Sequence, residues 1–266
     1  MRKNGKRKFK NFWFLPAILL VLFAGGFLYV NDYYHADPSA TAVLSEEIPG
    51  ITAEKGRIVF RPDNVNAGLI FYPGGKVEYT AYTPLMKALA EKGFLCVLLE
   101  MPLNLAFLNV NAADAVFSDF PEVEDWYLAG HSLGGVAAAF YAEKHADQLD
   151  GVILLGAYST VNLKEKKLKV LSVYGSEDGI LNKNEYEKNR SDLPDDMTEV
   201  IIPGGCHAYF GAYGEQKGDG FPAISREEQI LITARAIEDF IKSDRNARSF
   251  FIPHFSFLHP YPLNYD

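Results

Sequence analysis

Three residue types that together can cleave an acyl bond occur along this chain in the order serine, acid, histidine: Ser132, Asp178 and His207. A serine hydroxyl is a weak nucleophile until an imidazole takes its proton. The imidazole in turn needs a carboxylate to fix its tautomer and stabilise its charged form. Ser132 stands in Gly130-x-Ser132-x-Gly134, within Trp126-Tyr-Leu-Ala-Gly-His-Ser-Leu-Gly-Gly135. A strand-like run there turns straight into a helix-like one, the setting in which a G-x-S-x-G turn holds its serine out from a sheet edge.

Each of the three follows an apolar run. Ser132 comes after the run ending at Ala129, Asp178 after Val173-Tyr-Gly-Ser-Glu177, and His207 after Val200-Ile-Ile-Pro-Gly-Gly-Cys206. Open parallel sheets collect their sites at the carboxyl ends of strands, so all three are expected at one edge. Glu177 and Asp150 are the rival acids; Gly179 favours Asp178 by suiting a tight exposed turn. His131 lies inside the serine turn, His145 ends the next helix, and His35, His254 and His259 fall outside the expected core. A developing oxyanion needs two N–H groups. Leu133, directly after the serine, is expected to supply one, and Pro73-Gly74-Gly75-Lys76 the other, with Gly75 leading and Lys76 second.

The elements that would position these groups alternate. Residues 57–60, 68–72, 94–99, 126–129, 151–155, 169–174 and 198–202 read as strands, most of them continuously apolar, as strands buried on both faces must be. Thr83 and Pro84 open a helix as N-cap and first residue, and Gly93 stops it. Ser225 and Glu228 form a capping box for a closing helix that carries Ile230, Ala234, Ile237 and Ile241 on one face. Strands alternating with helices imply a mostly parallel sheet covered on both sides.

Composition narrows the partners. Six positive charges fall within the first ten residues, so a chain of net charge −8 carries −14 over the remainder. A body that acidic argues against nucleic acid. Residues 12–30 hold no charge, and 19 helical residues at ~1.5 Å each approach the ~30 Å of a bilayer core. The basic cluster before them predicts a cytoplasmic N-terminus and an exported body. The alternative is a secreted chain, its signal cleaved at Ala40-Thr-Ala42; the apolar run is longer than a signal core usually is, which favours an uncleaved anchor. Cys96 reads as core, and Cys206, beside His207, has no supporting motif. No metal or cofactor is implied, since no cluster has ligand spacing.

The chain resembles the α/β-hydrolase superfamily, in a branch of small exported or membrane-tethered bacterial proteins. The resemblance covers roughly residues 50–245 and rests on Tyr72-Pro-Gly-Gly-Lys-Val-Glu78, Gly130-His-Ser-Leu-Gly-Gly135, Tyr174-Gly-Ser-Glu-Asp178, Gly204-Gly-Cys-His207 and residues 211–220. Pro73-Gly74 stands where relatives commonly have His-Gly. The resemblance implies a serine esterase-like hydrolase: Ser132 as nucleophile, His207 as base, Asp178 orienting it, and Leu133 with Gly75 as the oxyanion hole.

The expected organisation is a basic cytoplasmic segment (1–11), a transmembrane signal-anchor (12–30), a linker (31–49), an α/β-hydrolase domain (50–245) and a disordered tail (246–266). About a dozen residues, 157–168, separate two strands where relatives insert a cap, too few for a lid. The loop 101–110 lines an acyl pocket or is core beneath the site edge. The expected activity is cleavage of small-molecule or lipid-like carboxylic esters at the outer face of the cell membrane. Transfer of the acyl group to another acceptor, attack on an amide, or a non-catalytic binding role on the same fold are the alternatives.

Overall fold

The computed structural model describes residues 14–45 and 48–250. The basic segment 1–11 and the tail beyond 250 lie outside the described residues. Eight strands form one sheet: β1 (Ile51–Glu54), β2 (Arg57–Phe60), β3 (Ala67–Tyr72), β4 (Phe94–Leu99), β5 (Trp126–His131), β6 (Gly151–Leu155), β7 (Lys169–Gly175) and β8 (Thr198–Ile202). Their spatial order is β1-β2-β4-β3-β5-β6-β7-β8. The hairpin β1–β2 is antiparallel, β2 pairs antiparallel with β4, and every remaining pairing is parallel.

Period-two alternation divides the core between the two faces. Leu69 and Phe71 of β3, with Tyr127 and Ala129 of β5, pack toward α3 (Thr83–Ala90) and α7 (Arg226–Phe250). Ile70, Tyr72 and Leu128 point the other way, toward the alanine-rich α5 (Leu133–Lys144) and the loop that ends in α4 (Asp114–Asp119). Helix α6 (Lys183–Asn189) packs Tyr186 beside Tyr174. Burial on both faces is why these strands read as unbroken apolar runs. Residues 156–168, between β6 and β7, hold no helix or strand, so no cap is inserted there.

The N-terminal helix α1 (Phe14–Asn31) is apolar, with mean hydropathy 2.0 and none of its residues buried. The connector after it is not free. Tyr34 forms a parallel bridge with Val77, and α2 (Pro38–Ser45) docks on α3 with Ala40 fully buried. Asp37 caps α2, accepting from Ser39 N–H at 3.1 Å, and pairs with Arg226 at the start of α7.

Three expectations need correction. Thr83 is the first residue of α3 rather than its cap; its hydroxyl donates 2.7 Å to Ala40 O, because the docked α2 offers a buried acceptor. The linker expected over 31–49 contains α2 and packs into the domain. Helix α7 runs five residues past the expected boundary at 245, because Arg248 in its last turn reaches Asp125 at 2.9 Å, Asp244 at 3.2 Å and Asp150. The capping residue of α7 is as read: Glu228 N–H donates to Ser225 Oγ at 3.1 Å.

Candidate active site

The chain leaves β3 to form β4 on one side and returns to form β5 on the other, so the strand order reverses between β3 and β5. Crevices at such reversals are where open α/β sheets place ligands. Tyr72 and Gly130 are register partners there, which sets the loop after β3 beside the turn after β5. Ser132 occupies that turn at φ 51°, ψ −124°, a left-handed conformation costly for any residue with a Cβ. Gly134 is required by close approach: a Cβ on it would lie 2.2 Å from Pro73 O. Leu133 is the first residue of α5, so its N–H has no acceptor within the helix.

At the ends of β7 and β8 the other two residues meet. His207 Nδ1 lies 2.8 Å from Asp178 Oδ2, with both side chains buried. The second oxygen of Asp178 accepts from Ile180 N–H at 2.9 Å and Leu181 N–H at 2.7 Å, so the carboxylate is fully engaged. That arrangement holds the Asp178 plane and leaves His207 Nε2 buried and, among the described residues, without a hydrogen-bond partner. Gly156, after β6, gives the pair its room, for a Cβ there would lie 2.9 Å from His207 Nδ1.

The rival groups are occupied elsewhere. Glu177 is exposed and bonds Ser176 Oγ; Asp150 sits at the opposite sheet edge, accepting Trp126 N–H at 2.8 Å and pairing with Arg248. His145 stacks on Tyr141 at 4.2 Å, and His35 is exposed beside Glu78. His254 and His259 lie outside the described residues. Cys96 and Cys206 are free and buried; burial, with Asp219 nearby, pushes the Cys206 thiol up to about 12, which leaves it unreactive as a thiolate.

The loop of residues 73–77 is hydrogen-bonded at every amide but one. Gly74 N–H donates to Tyr82 Oη at 3.0 Å, Lys76 N–H to Asn104 O at 2.8 Å, and Val77 N–H to Gly74 O at 3.2 Å. Among the described residues Gly75 N–H meets no acceptor, and Gly75 abuts Leu133: a Cβ added to it would lie 3.2 Å from Leu133 Cβ. The amide of Lys76, the second candidate donor, is already given to Asn104 O. Beneath the loop, Tyr82 Oη accepts from Gly74 N–H and is hydrogen-bonded to His131 Nδ1 at 2.8 Å. Burial, then the nearby His207, holds the His131 imidazole well below its ordinary 6.5, in its neutral form.

Two positioning residues escaped the sequence reading. Asp219 accepts from His207 N–H at 3.1 Å, Ala208 N–H at 2.8 Å, Gly179 N–H at 3.1 Å and Gly220 N–H at 2.8 Å, tying the histidine loop to the turn after Asp178. Burial pushes the Asp219 carboxyl up, but these amides outweigh it and hold it below its ordinary 3.8. Gln229 of α7 grips Cys206 from the other side, through its N–H at 2.9 Å and its carbonyl at 2.7 Å. An acidic residue between two glycines, Gly218-Asp219-Gly220, was the available signal for the first.

Ser132, Leu133 and His207 open on one cleft of about 160 Å³, walled by Val136, Ile180 and Leu181. A space of that size holds roughly one benzene ring. Hollows of about 520 Å³ against α7 and beside the β1–β2 hairpin pair no serine with a histidine. The loop 101–110 is not part of the cleft: Met101 and Ala106 are buried, while Leu103, Phe107 and Leu108 are exposed. A nucleophile, an oriented base and two adjacent free amides can together attack a carbonyl and hold the resulting oxyanion.

The Alpha/beta hydrolase family model matches residues 68–231. No curated protein matches the chain. Among solved structures, the chain is similar to Est1E from Butyrivibrio proteoclasticus, with TM-score 0.54, 16% identity, and coverage of 74% of this chain and 98% of that one. It is similar to a monoacylglycerol lipase of Paleococcus ferrophilus, with TM-score 0.55, 17% identity and coverage of 71% and 98%. A membrane phospholipase A, described as a bacterial virulence factor, aligns over 88% of this chain and 99% of its own with TM-score 0.54 and 16% identity. At such identities the likeness to these structures is one of fold.

Proposed function

The chain belongs to the alpha/beta hydrolase family, and from that premise we propose that it is a serine hydrolase that cleaves carboxylic esters through an acyl-enzyme. In this reading Ser132 Oγ attacks the ester carbonyl while its proton passes to His207 Nε2. Asp178 holds the ring by its Nδ1–H and stabilises the imidazolium. The negative oxygen of the tetrahedral intermediate takes hydrogen bonds from the Leu133 and Gly75 amides. Collapse breaks the ester C–O bond, and the departing alkoxide takes the proton from His207. Water, deprotonated by the same nitrogen, then attacks the acyl-serine, and the acid leaves with Ser132 regenerated.

The observation that carries this reading is the 2.8 Å contact between His207 and Asp178 at the cleft that Ser132 also lines. The solved structures similar in fold include ones named as lipase and phospholipase, which agrees with an ester as substrate. The wild type is expected to react with a fluorophosphonate probe, and Ser132→Ala to be unlabelled. For His207→Ala, turnover of a p-nitrophenyl ester should drop by several orders of magnitude with the fold retained. Equal labelling of wild type and Ser132→Ala would place the nucleophile elsewhere or leave a binding protein.

The same reading places the protein at the cell membrane as a single-pass chain with its domain on the extracytoplasmic side. It is supported by the absence of any buried residue in the apolar helix α1 and by the packing of Tyr34 and Ala40 into the domain, which argues against cleavage at Ala40-Thr-Ala42.

A further inference from the structure

Helix α1 does not lead into a tether; it ends against the loop that carries Gly75. Tyr34 N–H donates to Lys76 O at 2.7 Å, and Glu78 N–H donates to Tyr34 O at 2.9 Å. The Lys76 ammonium stands 2.9 Å from Asp32 Oδ2 and 4.4 Å from the ring centroid of Tyr29, in the last turn of α1. Gly75 and Lys76 are neighbours, so the free amide lies about 3.8 Å along the chain from a residue clamped to the helix end. A spanning helix ends at the interface, where Tyr and Lys side chains anchor it. With α1 in the bilayer, the site edge has no length of chain by which to stand away from it.

That same edge is apolar. Leu103 is 55% exposed, Phe107 43%, Leu108 55% and Leu133 45%. Leu133 lies against Gly75, and Asn104, next to Leu103, accepts the Lys76 N–H, so Leu133 and Leu103 flank the loop that α1 clamps; Phe107 and Leu108 follow in the same segment, with the Phe107 ring against Phe140 of α5. Leu103 is also held at φ 52°, where a leucine is conformationally disfavoured. Leu133 belongs both to the cleft, about 160 Å³ in volume, and to this edge, so an ester longer than the cleft has an apolar surface to continue onto. Lys76, the cation at the rim, is neutralised by Asp32, which leaves an uncharged or zwitterionic headgroup as the fitting one.

We propose that the rim of Leu103, Phe107, Leu108 and Leu133 is seated in the bilayer leaflet on the domain's side, and that the substrate is an acyl ester of a lipid in that leaflet. This rests on the serine-hydrolase reading. Ser132 would take the acyl chain from the lipid as its ester C–O bond breaks, His207 would return the proton to the lipid alcohol, and water would release a fatty acid. The lipid reaches Ser132 from the membrane plane without crossing water.

The test uses the full chain reconstituted in phosphatidylcholine vesicles containing dioleoylglycerol, with p-nitrophenyl butyrate as a soluble ester in the same preparation. The variant Leu103→Asn/Leu108→Asn suits the left-handed position at 103 and leaves the cleft intact. It should release fatty acid from the vesicles about tenfold more slowly or worse, while butyrate hydrolysis stays within about twofold. A second readout needs no activity: both native cysteines are buried, so an environment-sensitive fluorophore on Leu108→Cys should be quenched by doxyl-labelled lipid. Wild-type protein that hydrolyses the butyrate but spares vesicle lipid, an unquenched fluorophore, or a variant equally active on both esters would each overturn the proposal. Loss of both the butyrate activity and fluorophosphonate labelling in wild type would instead sink the serine-hydrolase reading.

Discussion

In the proposed mechanism, a single proton on His131 would disturb the oxyanion side of the site. The residue precedes Ser132, its ring centroid lies 4.5 Å from that of His207, and its Nδ1 is hydrogen-bonded to the Tyr82 hydroxyl that in turn holds Gly74. Burial, with His207 close by, keeps it neutral in the folded protein well below 6.5, whereas the unfolded chain takes up the proton near that value. Below pH 6.5 the unfolded state therefore binds more protons, and stability falls as pH falls. The slope from this one group approaches 1.4 kcal/mol per pH unit, or about a tenfold change in the folding constant. Urea denaturation between about pH 7 and 5 should show it, and His131→Gln should flatten it. An undiminished slope in that variant would assign the effect to other groups.

At the scale of elements, the three site residues are delivered by turns after β5, β7 and β8, and the last of these is long and irregular. Asp219 compensates by gathering four backbone N–H groups from both sides of the site. Its folded pKa is depressed, so its contribution is fully present above the ordinary 3.8 and is lost as pH falls through the lower folded value. Asp219→Ala strands those amides and is expected to cost about 2–3 kcal/mol in stability. With His207 less well held, kcat/KM should fall roughly 10–100-fold, and kcat more than KM, since a misplaced base hurts the transition state. Unchanged kinetics with lowered stability would make Asp219 a structural staple alone.

The same scale shows what was legible in the sequence. Strands such as β4 and β5, buried on both faces, announce themselves as apolar runs, and the order Ser132, Asp178, His207 could be read from the residues that follow them. Strand β1 could not, because an edge strand with one half-buried and three exposed residues has no apolar run to offer. Tyr82 and Asp219 were equally hidden: one acts on Gly74 and on His131 49 residues away, the other on residues up to 40 positions distant. Thr83 misled because a local cap signal lost to a buried acceptor on a helix 43 residues upstream.

For the molecule as a whole, the decisive question is whether the segment after α1 is a leash or a part of the fold. A leash would be polar and unpaired; residues 34–45 instead add a backbone bridge to Val77, an ion pair from Asp37 to Arg226, and a buried alanine whose carbonyl satisfies Thr83. Removing residues up to Ala42, as cleavage there would, leaves the buried Thr83 hydroxyl and the amide of Glu78 without their acceptors. The Thr83 hydroxyl, fully buried, costs about 1–3 kcal/mol when stranded. A chain beginning at Asp32 should therefore resist urea by about 1–3 kcal/mol more than one beginning at Val43, with α1 absent from both. In cells the corresponding expectation is that the membrane fraction carries the intact N-terminus. Equal stability of the two truncated chains would mean that α2 merely rests on the domain, and a cleaved, secreted form would then be structurally admissible.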